Sequence, residues 1–217
     1  MCGRFTLYAD PDFLAGYFNL ENKKDFQMEA SYNIAPGQFV FAVVKGKISY
    51  RGGLIKWGLI PSWSAAPSSR YKMINARSET VHEKPAFKHL VEKRRCVIPA
   101  DGFYEWKQER EGKQPYYIKM ANNAPVLFAG LWDRWKSDDG KLLTTCTILT
   151  TRPNKLMNSL HDRMPVILQE DKWQEWVAGR EASHFFDPFP SELMTAYPVA
   201  EEVNNPRNNS PSCIQAM

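Results

Sequence analysis

The stretch RRCVIPADGFYEWKQ at residues 94–108 decides the fold of this chain, together with the three segments that follow it. Those segments are QPYYIKMA at 114–121, VLFAGLWDRWK at 126–136 and LLTTCTILTT at 142–151. All four are rich in β-branched and aromatic residues and are separated by turn-forming residues, which predicts consecutive strands. Short strands joined by turns are typical of antiparallel sheets, so we predict a largely antiparallel, barrel-like core.

The other segments add a hairpin and several helices to this sheet. Residues 38–60, QFVFAVVKGKISYRGGLIKWGLI, contain apolar runs broken by Lys-Gly and Gly-Gly, which is typical of a hairpin. The spacing of apolar residues predicts helices at 10–27, 79–93 with a break at Pro85, 154–160 and 170–178. Strands and helices do not alternate regularly, so the predicted class is α+β, with helices flanking the barrel-like sheet.

The carboxyl-terminal segment EEVNNPRNNSPSCIQAM at 201–217 is polar and rich in turn-forming residues. We predict that it adds little to the core and that roughly its last ten residues are flexible.

The composition is that of one globular domain spanning residues 1–217. The chain is 43% hydrophobic and 24% charged, which is enough apolar material for a single core. Its 28 basic and 24 acidic residues give a net charge of +4, which permits a polyanionic partner without requiring one. The four cysteines and four histidines show no metal-ligand spacing, so we expect no disulfide framework, no metal and no cofactor.

The chain begins with Cys-Gly-Arg after Met1 and lacks the basic and apolar regions of a secretory signal. No apolar stretch approaches the roughly 20 residues needed to cross a bilayer. We therefore expect a cytoplasmic protein without a membrane partner, in a compartment where thiols stay reduced. We also expect a monomer.

Cys2 is the first candidate for chemistry, because removal of Met1 would give it two nucleophiles, an α-amine and a thiol. An α-amine has a pKa of about 7.7–8.0, so a useful fraction is neutral near pH 7 and can condense with an aldehyde. The thiol can then close on the imine carbon to give a thiazolidine, which hydrolyses far more slowly than an open Schiff base. Position 2 alone is also compatible with a frayed terminus that has no function.

The segment MINARSET at 73–80 offers polar groups suited to a nucleic-acid ligand. Asn75 can donate and accept hydrogen bonds, and Arg77, two residues along the same strand face, carries a bidentate fork for phosphate. The same residues are equally compatible with a polar strand edge.

Upstream of this segment, aromatic and basic residues are interleaved as in single-strand binding surfaces, where bases stack and phosphates are neutralised. The residues concerned are Trp57, Trp63, Arg70, Tyr71 and Lys72. We expect Trp57 to lie in the core and Trp63, in a loop-like stretch, to be the better candidate for stacking.

Two further segments carry titratable groups. In PADGFYEWK at 99–107, Glu105 lies between two aromatic residues, and apolar surroundings raise the pKa of a carboxyl group so that it exchanges protons near neutrality. Strand alternation is equally compatible with Glu105 facing solvent. In HDRMPVIL at 161–168, His161 opens a polar triplet before an apolar strand, where a rigid scaffold often holds loop residues. A lone histidine is more often structural, but the triplet favours a functional role.

Taken together and in this order, the motifs resemble the SRAP family, the SOS-response-associated proteins that process abasic sites. The matching stretches are MCGRFT at 1–6, YNIAPGQ at 32–38, KWGLIPSW at 56–63, INARSET at 74–80, CVIPADGFYEWK at 96–107 and HDRMPVIL at 161–168. Each motif is weak by itself, but their joint order over most of the chain is specific.

The resemblance implies a single SRAP domain that crosslinks Cys2 to an abasic site in single-stranded DNA. It implies that Asn75 orients the opened sugar, that Glu105 moves protons and that His161 assists ring opening. Reversal of the crosslink, limited autopeptidase and lyase-like activities, a role in the SOS response and association with the nucleoid when crosslinked belong to the same expectation. The DNA-binding residues expected from the resemblance and the basic pattern are Arg4, Asn33, Pro36, Trp63, Arg70, Lys72, Arg77 and Arg163.

One departure from the family pattern concerns base stacking. Some relatives carry a second tryptophan directly after the one matching Trp63, whereas this sequence has Ser64, so we expect a weaker or differently built stacking wedge.

Two other classes of function use the same residues. A hydrolase with an amino-terminal or Cys–His nucleophile would attack an amide with Cys2 and use His161 as base, and it would need oxyanion donors. Trp63 and Arg77 point instead to an extended polyanion. A single-strand binder without chemistry is the third class.

Overall fold

The computed structural model describes residues 2–23, 27–65 and 73–217. The strands of the described residues are β1 Phe5–Leu7, β2 Ser31–Ile34, β3 Phe39–Lys45, β4 Tyr50–Trp57, β5 Asn75–Arg77, β6 Arg95–Ala100, β7 Gly102–Glu109, β8 Gly112–Met120, β9 Val126–Lys136, β10 Leu142–Thr151, β11 Met164–Pro165 and β12 Met194–Pro198. The helices are α1 Pro11–Tyr17, α2 Lys88–Lys93 and α3 Trp173–Ala178. Short 3-10 turns connect several of these elements.

Five strands close into a barrel. The ring runs β10-β4-β3-β6-β9 and returns to β10, because β9 and β10 also pair. Four of its five contacts are antiparallel, and the contact of β10 with β4, at Thr145↔Lys56 and Cys146↔Trp57, is parallel. The predicted class, α+β with a largely antiparallel barrel-like sheet, is confirmed.

A second, antiparallel sheet has the order β12-β8-β7-β1-β2. Strand β1 pairs with both β2 and β7 and carries Phe5 into the core. The Phe5 ring lies 5.1 Å from the Trp57 ring and 5.7 Å from the Phe128 ring, measured between centroids. These tilted and edge-on contacts between large rings fix the amino-terminal strand against the barrel.

Gly102 has a packing role at the start of β7. A Cβ atom at this position would lie 2.4 Å from the Tyr117 ring and 2.7 Å from the Ile118 carbonyl oxygen. Only glycine therefore lets β7 approach β8 this closely directly after Asp101.

The helices are shorter than the apolar spacing predicted. The Asp10 side chain caps α1 by accepting from the backbone N–H groups of Asp12 and Phe13, but the helix ends at Tyr17. Asn19 adopts a φ of 46°, and Leu20 then forms a bridge to Tyr50. The prediction of a helix beyond Tyr17 is therefore wrong for residues 18–23 and 27, because the left-handed residue turns the chain toward β4, and residues 24–26 lie outside the described residues.

Two other helix predictions need similar corrections. The predicted helix at 154–160 contains only a 3-10 turn, Met157–Ser159, ahead of which the Asn154 side chain accepts from the Met157 N–H. Residues 79–93 break near Pro85, as expected, into a 3-10 turn at Ser78–Thr80 and α2. The predicted helix at 170–178 begins later, at Trp173.

The prediction that residues 201–217 add little to the core is wrong. Val203 and Cys213 are buried in a second cluster with Tyr104 and Tyr117. Asn33 pins this segment, since its Nδ2 donates to the backbone carbonyls of three tail residues, Val203, Asn205 and Asn208.

Among the described residues, no helix is long and apolar enough to cross a membrane.

Asn33→Ala should destabilise the fold by about 2 kcal/mol or more, because it removes the bonds from Nδ2 to the Val203, Asn205 and Asn208 carbonyls and the bond that Oδ1 accepts from Arg4. Urea unfolding measures the change. Asn158→Ala, at an exposed position, is the matched control and should change the free energy of unfolding by less than about 0.5 kcal/mol. Equal losses in the two variants would contradict this account of the tail.

Candidate active site

Cys2 lies just before β1 and is buried. Its backbone carbonyl accepts a hydrogen bond of 2.9 Å from Nδ2 of Asn75. Strand β1, which follows directly, is held between β2 and β7. The pairing of β1 and the bond from Asn75 together place the amino-terminal segment against β5.

Asn75 is positioned by the parallel pairing of β5 with β10, in the register Ile148↔Asn75 and Thr150↔Arg77. The strand alternates as the sequence predicted, with Ala76 buried and Arg77 exposed on the same side as Asn75. Oδ1 of Asn75 is buried and has no hydrogen-bond partner among the described residues. An unpartnered buried acceptor is costly, so this oxygen is suited to a ligand hydroxyl group.

Glu105 of β7 is only 3% exposed, so the alternative in which it faces solvent is wrong. Burial raises the pKa of its carboxyl group, and the nearby His161 acts in the opposite direction. The predicted direction of the shift is confirmed. The same carboxylate acts on Cys2: burial, and then Glu105, raise the pKa of the Cys2 thiol far above its usual range.

His161 follows the 3-10 turn Met157–Ser159, and its backbone N–H donates to the Met157 carbonyl at 2.8 Å. Its Nδ1 lies 3.0 Å from the Arg163 backbone nitrogen and 2.7 Å from Oδ1 of Asp162. A neutral ring accepts from the Arg163 N–H at Nδ1, whereas a protonated ring donates from Nδ1 to the exposed Asp162 carboxylate. Nδ1 is thus within hydrogen-bond distance of both a donor and an acceptor.

The structure therefore brings together the four residues that the sequence analysis placed in the catalytic set. They come from the amino terminus, β5, β7 and the loop before β11. One hydrogen bond joins Asn75 to Cys2, and electrostatic interactions link Glu105 to both Cys2 and His161.

The expected base-stacking and phosphate residues are placed unevenly. Trp63 is 68% exposed and Arg77 is also exposed, whereas Trp57 is buried, with Nε1 donating to the Ile74 carbonyl at 2.9 Å. The core interpretation of Trp57 is confirmed. Arg70 and Lys72 lie outside the described residues.

Three expected DNA contacts have internal partners. Nη1 of Arg4 donates to Oδ1 of Asn33 at 2.7 Å and to the Val203 carbonyl at 2.8 Å. The buried Asn33 side chain does not reach the surface, so only the shape of its turn, with the half-buried Pro36, can affect a groove. The Arg163 guanidinium is bound to the Glu79 carboxylate and to Thr150, and a phosphate contact would have to displace Glu79.

Sequence reasoning missed two residues that hold the loop around Trp63. Oδ2 of buried Asp133 accepts from the Ser62 N–H at 2.7 Å, and Nε1 of Trp135 donates to the Ser64 carbonyl at 2.7 Å. Both partners lie 71 positions away along the chain, so no local signal identifies them.

Among the residues that the structure describes, no group of three or more His, Cys, Asp or Glu side chains is arranged to hold a metal.

Comparison with known proteins places this chain in a family. Residues 1–206 match the family model described as SOS response associated peptidase (SRAP). The chain belongs to the SRAP family.

The similar sequences include two from Bacillus subtilis strain 168. The chain is 41% identical to "Abasic site processing protein YoqW", with both chains covered completely, and 43% identical to "Abasic site processing protein YoaM", with 100% of this chain and 98% of the relative covered. It is 39% identical to "Abasic site processing protein HMCES" of Xenopus tropicalis over 75% of this chain and 56% of the relative.

A crystal structure of a Bacteroides thetaiotaomicron protein superposes with a TM-score of 0.88 at 25% identity, and it covers 100% of both chains.

Glu105→Gln should stabilise the protein relative to wild type, and more so at high pH than at low pH. Burial raises the carboxyl pKa in the folded state, so the group's contribution is present below its ordinary pKa and is lost as pH rises through the folded value. Thermal unfolding from about pH 4 to about pH 8 measures the difference between the two melting temperatures. Glu109→Gln, at the exposed end of the same strand, is the control and should show no such trend. A constant difference for Glu105→Gln would be the contrary result.

Proposed function

We propose that this protein captures abasic sites in single-stranded DNA through a covalent bond to Cys2, after Met1 has been removed. The observation that carries this proposal is the convergence of Cys2, Asn75, Glu105 and His161 from four separate segments. Relatives that are 41% and 43% identical over the whole chain bear the name abasic site processing protein, which supports the choice of substrate.

The proposed reaction uses both nucleophiles of a terminal cysteine. The α-amine attacks the aldehyde of the opened sugar, and loss of one water gives an imine. The thiol then adds across the C=N bond, with sulfur bonding to carbon and the proton passing to nitrogen. The product is a five-membered thiazolidine, and the sum of the steps releases one water and needs no oxidant or cofactor.

The surroundings of the thiol favour attack by the amine first. Burial and the Glu105 carboxylate raise the thiol pKa, so the sulfur stays protonated near neutral pH. A hydrolase of the Cys–His type needs a thiolate, which usually requires a positive neighbour or a helix amino terminus. An α-amine needs only to lose a proton from an ordinary ammonium group.

The other three residues have distinct roles in this proposal. His161 donates a proton to the ring oxygen so that the closed sugar opens to the aldehyde. Glu105, whose pKa is raised by burial, accepts a proton from the amine and returns one during reversal. Asn75 holds Cys2 through Nδ2 and offers its unpartnered Oδ1 to a sugar hydroxyl.

In this proposal the protein binds DNA without base-specific hydrogen bonds. Exposed Trp63 stacks on a base and exposed Arg77 binds phosphate, in the pattern of single-strand binding surfaces. We assign supporting phosphate contacts to Arg4, Arg70 and Lys72. We further propose that the protein acts as a cytoplasmic monomer in DNA repair, that its crosslink is reversible, and that strand scission by β-elimination from the imine is a side activity.

An inserted residue that blocks removal of Met1 should abolish the crosslink while leaving DNA binding intact, because it converts the Cys2 amine into an amide with a delocalised lone pair. Cys2→Ser should give at most an imine that borohydride traps and heat breaks. Denaturing gels with abasic single-stranded DNA measure both adducts. Cys213→Ser, which replaces a buried thiol of the tail cluster, is the control and should crosslink normally. A heat-stable adduct at normal yield from the blocked protein would refute the role of the α-amine.

Arg77→Ala should weaken binding of intact and abasic single strands equally and reduce the slope of log affinity against log salt by about one, because a phosphate contact carries no lesion information. Fluorescence anisotropy across a salt series measures both effects. Arg110→Ala removes the same charge from the exposed β7–β8 turn and should leave the slope unchanged. Matching slopes for wild type and Arg77→Ala would exclude Arg77 from the binding groove.

A further inference from the structure

Both terminal nitrogens of the Arg163 guanidinium, near the candidate site, are bound by internal partners. Nη1 and Nη2 donate to the two carboxylate oxygens of Glu79 at 2.6 and 2.9 Å, and Nη2 also donates to the Thr150 carbonyl at 2.7 Å. This bidentate geometry fits the planar guanidinium and lowers the pKa of the Glu79 carboxyl, chiefly through the hydrogen bond itself.

Arg163 is much more buried than Glu79. The Arg163 side chain is 15% exposed, whereas the Glu79 side chain is 50% exposed. An ion pair between two exposed side chains contributes little, but a guanidinium with this little access to water depends on its carboxylate partner. Glu79 is therefore the accessible half of a pair that fixes Arg163 against β10.

The same arginine holds His161 through its backbone. The Arg163 N–H donates to Nδ1 of His161 at 3.0 Å, a bond that a neutral ring accepts only when its proton is on Nε2. The Arg163 backbone can point this N–H at the ring only while the segment 161–163 keeps its conformation. The side-chain anchor, across 84 positions to Glu79 and 13 to Thr150, holds that conformation.

We propose that Glu79 is a positioning residue that acts through Arg163 to fix the orientation and the tautomer of His161. This inference rests on the proposed function for its effect on rate, but its effect on the histidine ring is independent of it. Glu79 touches no reacting atom in this scheme. The Arg163 side chain is then a structural anchor and not a phosphate contact.

A competing interpretation makes Glu79 a placeholder for a DNA phosphate at Arg163. The two interpretations predict opposite results. A positioning residue affects the rate of bond formation in the bound complex, whereas a placeholder lowers DNA affinity and its removal tightens binding.

The test compares wild type with Glu79→Gln, Glu79→Asp and the control Glu83→Gln, which removes the same charge at a neighbouring exposed position. Single-turnover adduct formation with abasic single-stranded DNA gives the rate at saturation, and anisotropy with the intact strand gives the Kd. Long-range ¹H–¹⁵N NMR reports the tautomer of the His161 ring without any DNA. Melting temperatures confirm that each variant is folded.

For Glu79→Gln we expect about a tenfold slower rate at saturation, a Kd within about twofold of wild type, and mixed tautomers where wild type shows the proton on Nε2. Glu79→Asp should lie between the two, and Glu83→Gln should match wild type. If Glu79→Gln does not fold, Arg163→Lys, which loses the bidentate fork, should show the same loss of rate and tautomer.

An unchanged rate and tautomer in Glu79→Gln would overturn the proposal, and a tighter Kd with an unchanged tautomer would establish the placeholder instead. If wild type forms no adduct, the proposed function fails, and the NMR comparison still decides whether Glu79 positions His161.

Discussion

Strand β10 closes the barrel, and the candidate site depends on that closure. It pairs with β9 along seven positions and with β4 in parallel, and its remaining edge positions receive β5 and β11. Asn75 and the loop that contains His161 are thereby fixed to the same strand. The second sheet contributes the other half, since β1 and β7 pair directly and carry Cys2 and Glu105. Neither sheet alone would assemble the four residues.

The second constraint is electrostatic. A carboxylate that is 3% exposed is disfavoured by desolvation, and folding accepts that cost at Glu105. The result is a group that takes up a proton more readily than an exposed carboxyl does, next to a thiol that is held neutral. Such a pair suits stepwise proton transfer around an imine better than it suits attack by a thiolate.

The strands at 94–151 could be predicted from the sequence because their β-branched and aromatic runs are separated by clear turn residues. Cys2, Asn75, Glu105 and His161 could be named because each lies in a motif that the resemblance to the family covers. The end of α1 could not be predicted, because the apolar pattern continues beyond Tyr17 whereas the left-handed Asn19 turns the chain away from the helix. The local sequence does not predict the bridge between Leu20 and Tyr50, because that bridge is a tertiary contact.

Long-range polar contacts could not be predicted from the sequence either. The pair of Glu79 and Arg163 spans 84 positions, and the hydrogen bonds of Asn33 to the tail span 170 or more. Sequence patterns report burial and local geometry, whereas these bonds exist only after the barrel has closed. For the same reason the polar tail appeared to lack a core, although Cys213 packs against Tyr104.

The most direct test of the central claim is the intact mass of the adduct between this protein and an abasic single-stranded oligonucleotide, before and after borohydride. We expect the mass of the chain without Met1 plus the oligonucleotide minus one water, unchanged by borohydride because a thiazolidine has no C=N bond to reduce. An adduct that retains Met1, or one that gains two hydrogens on reduction, would contradict a thiazolidine at Cys2.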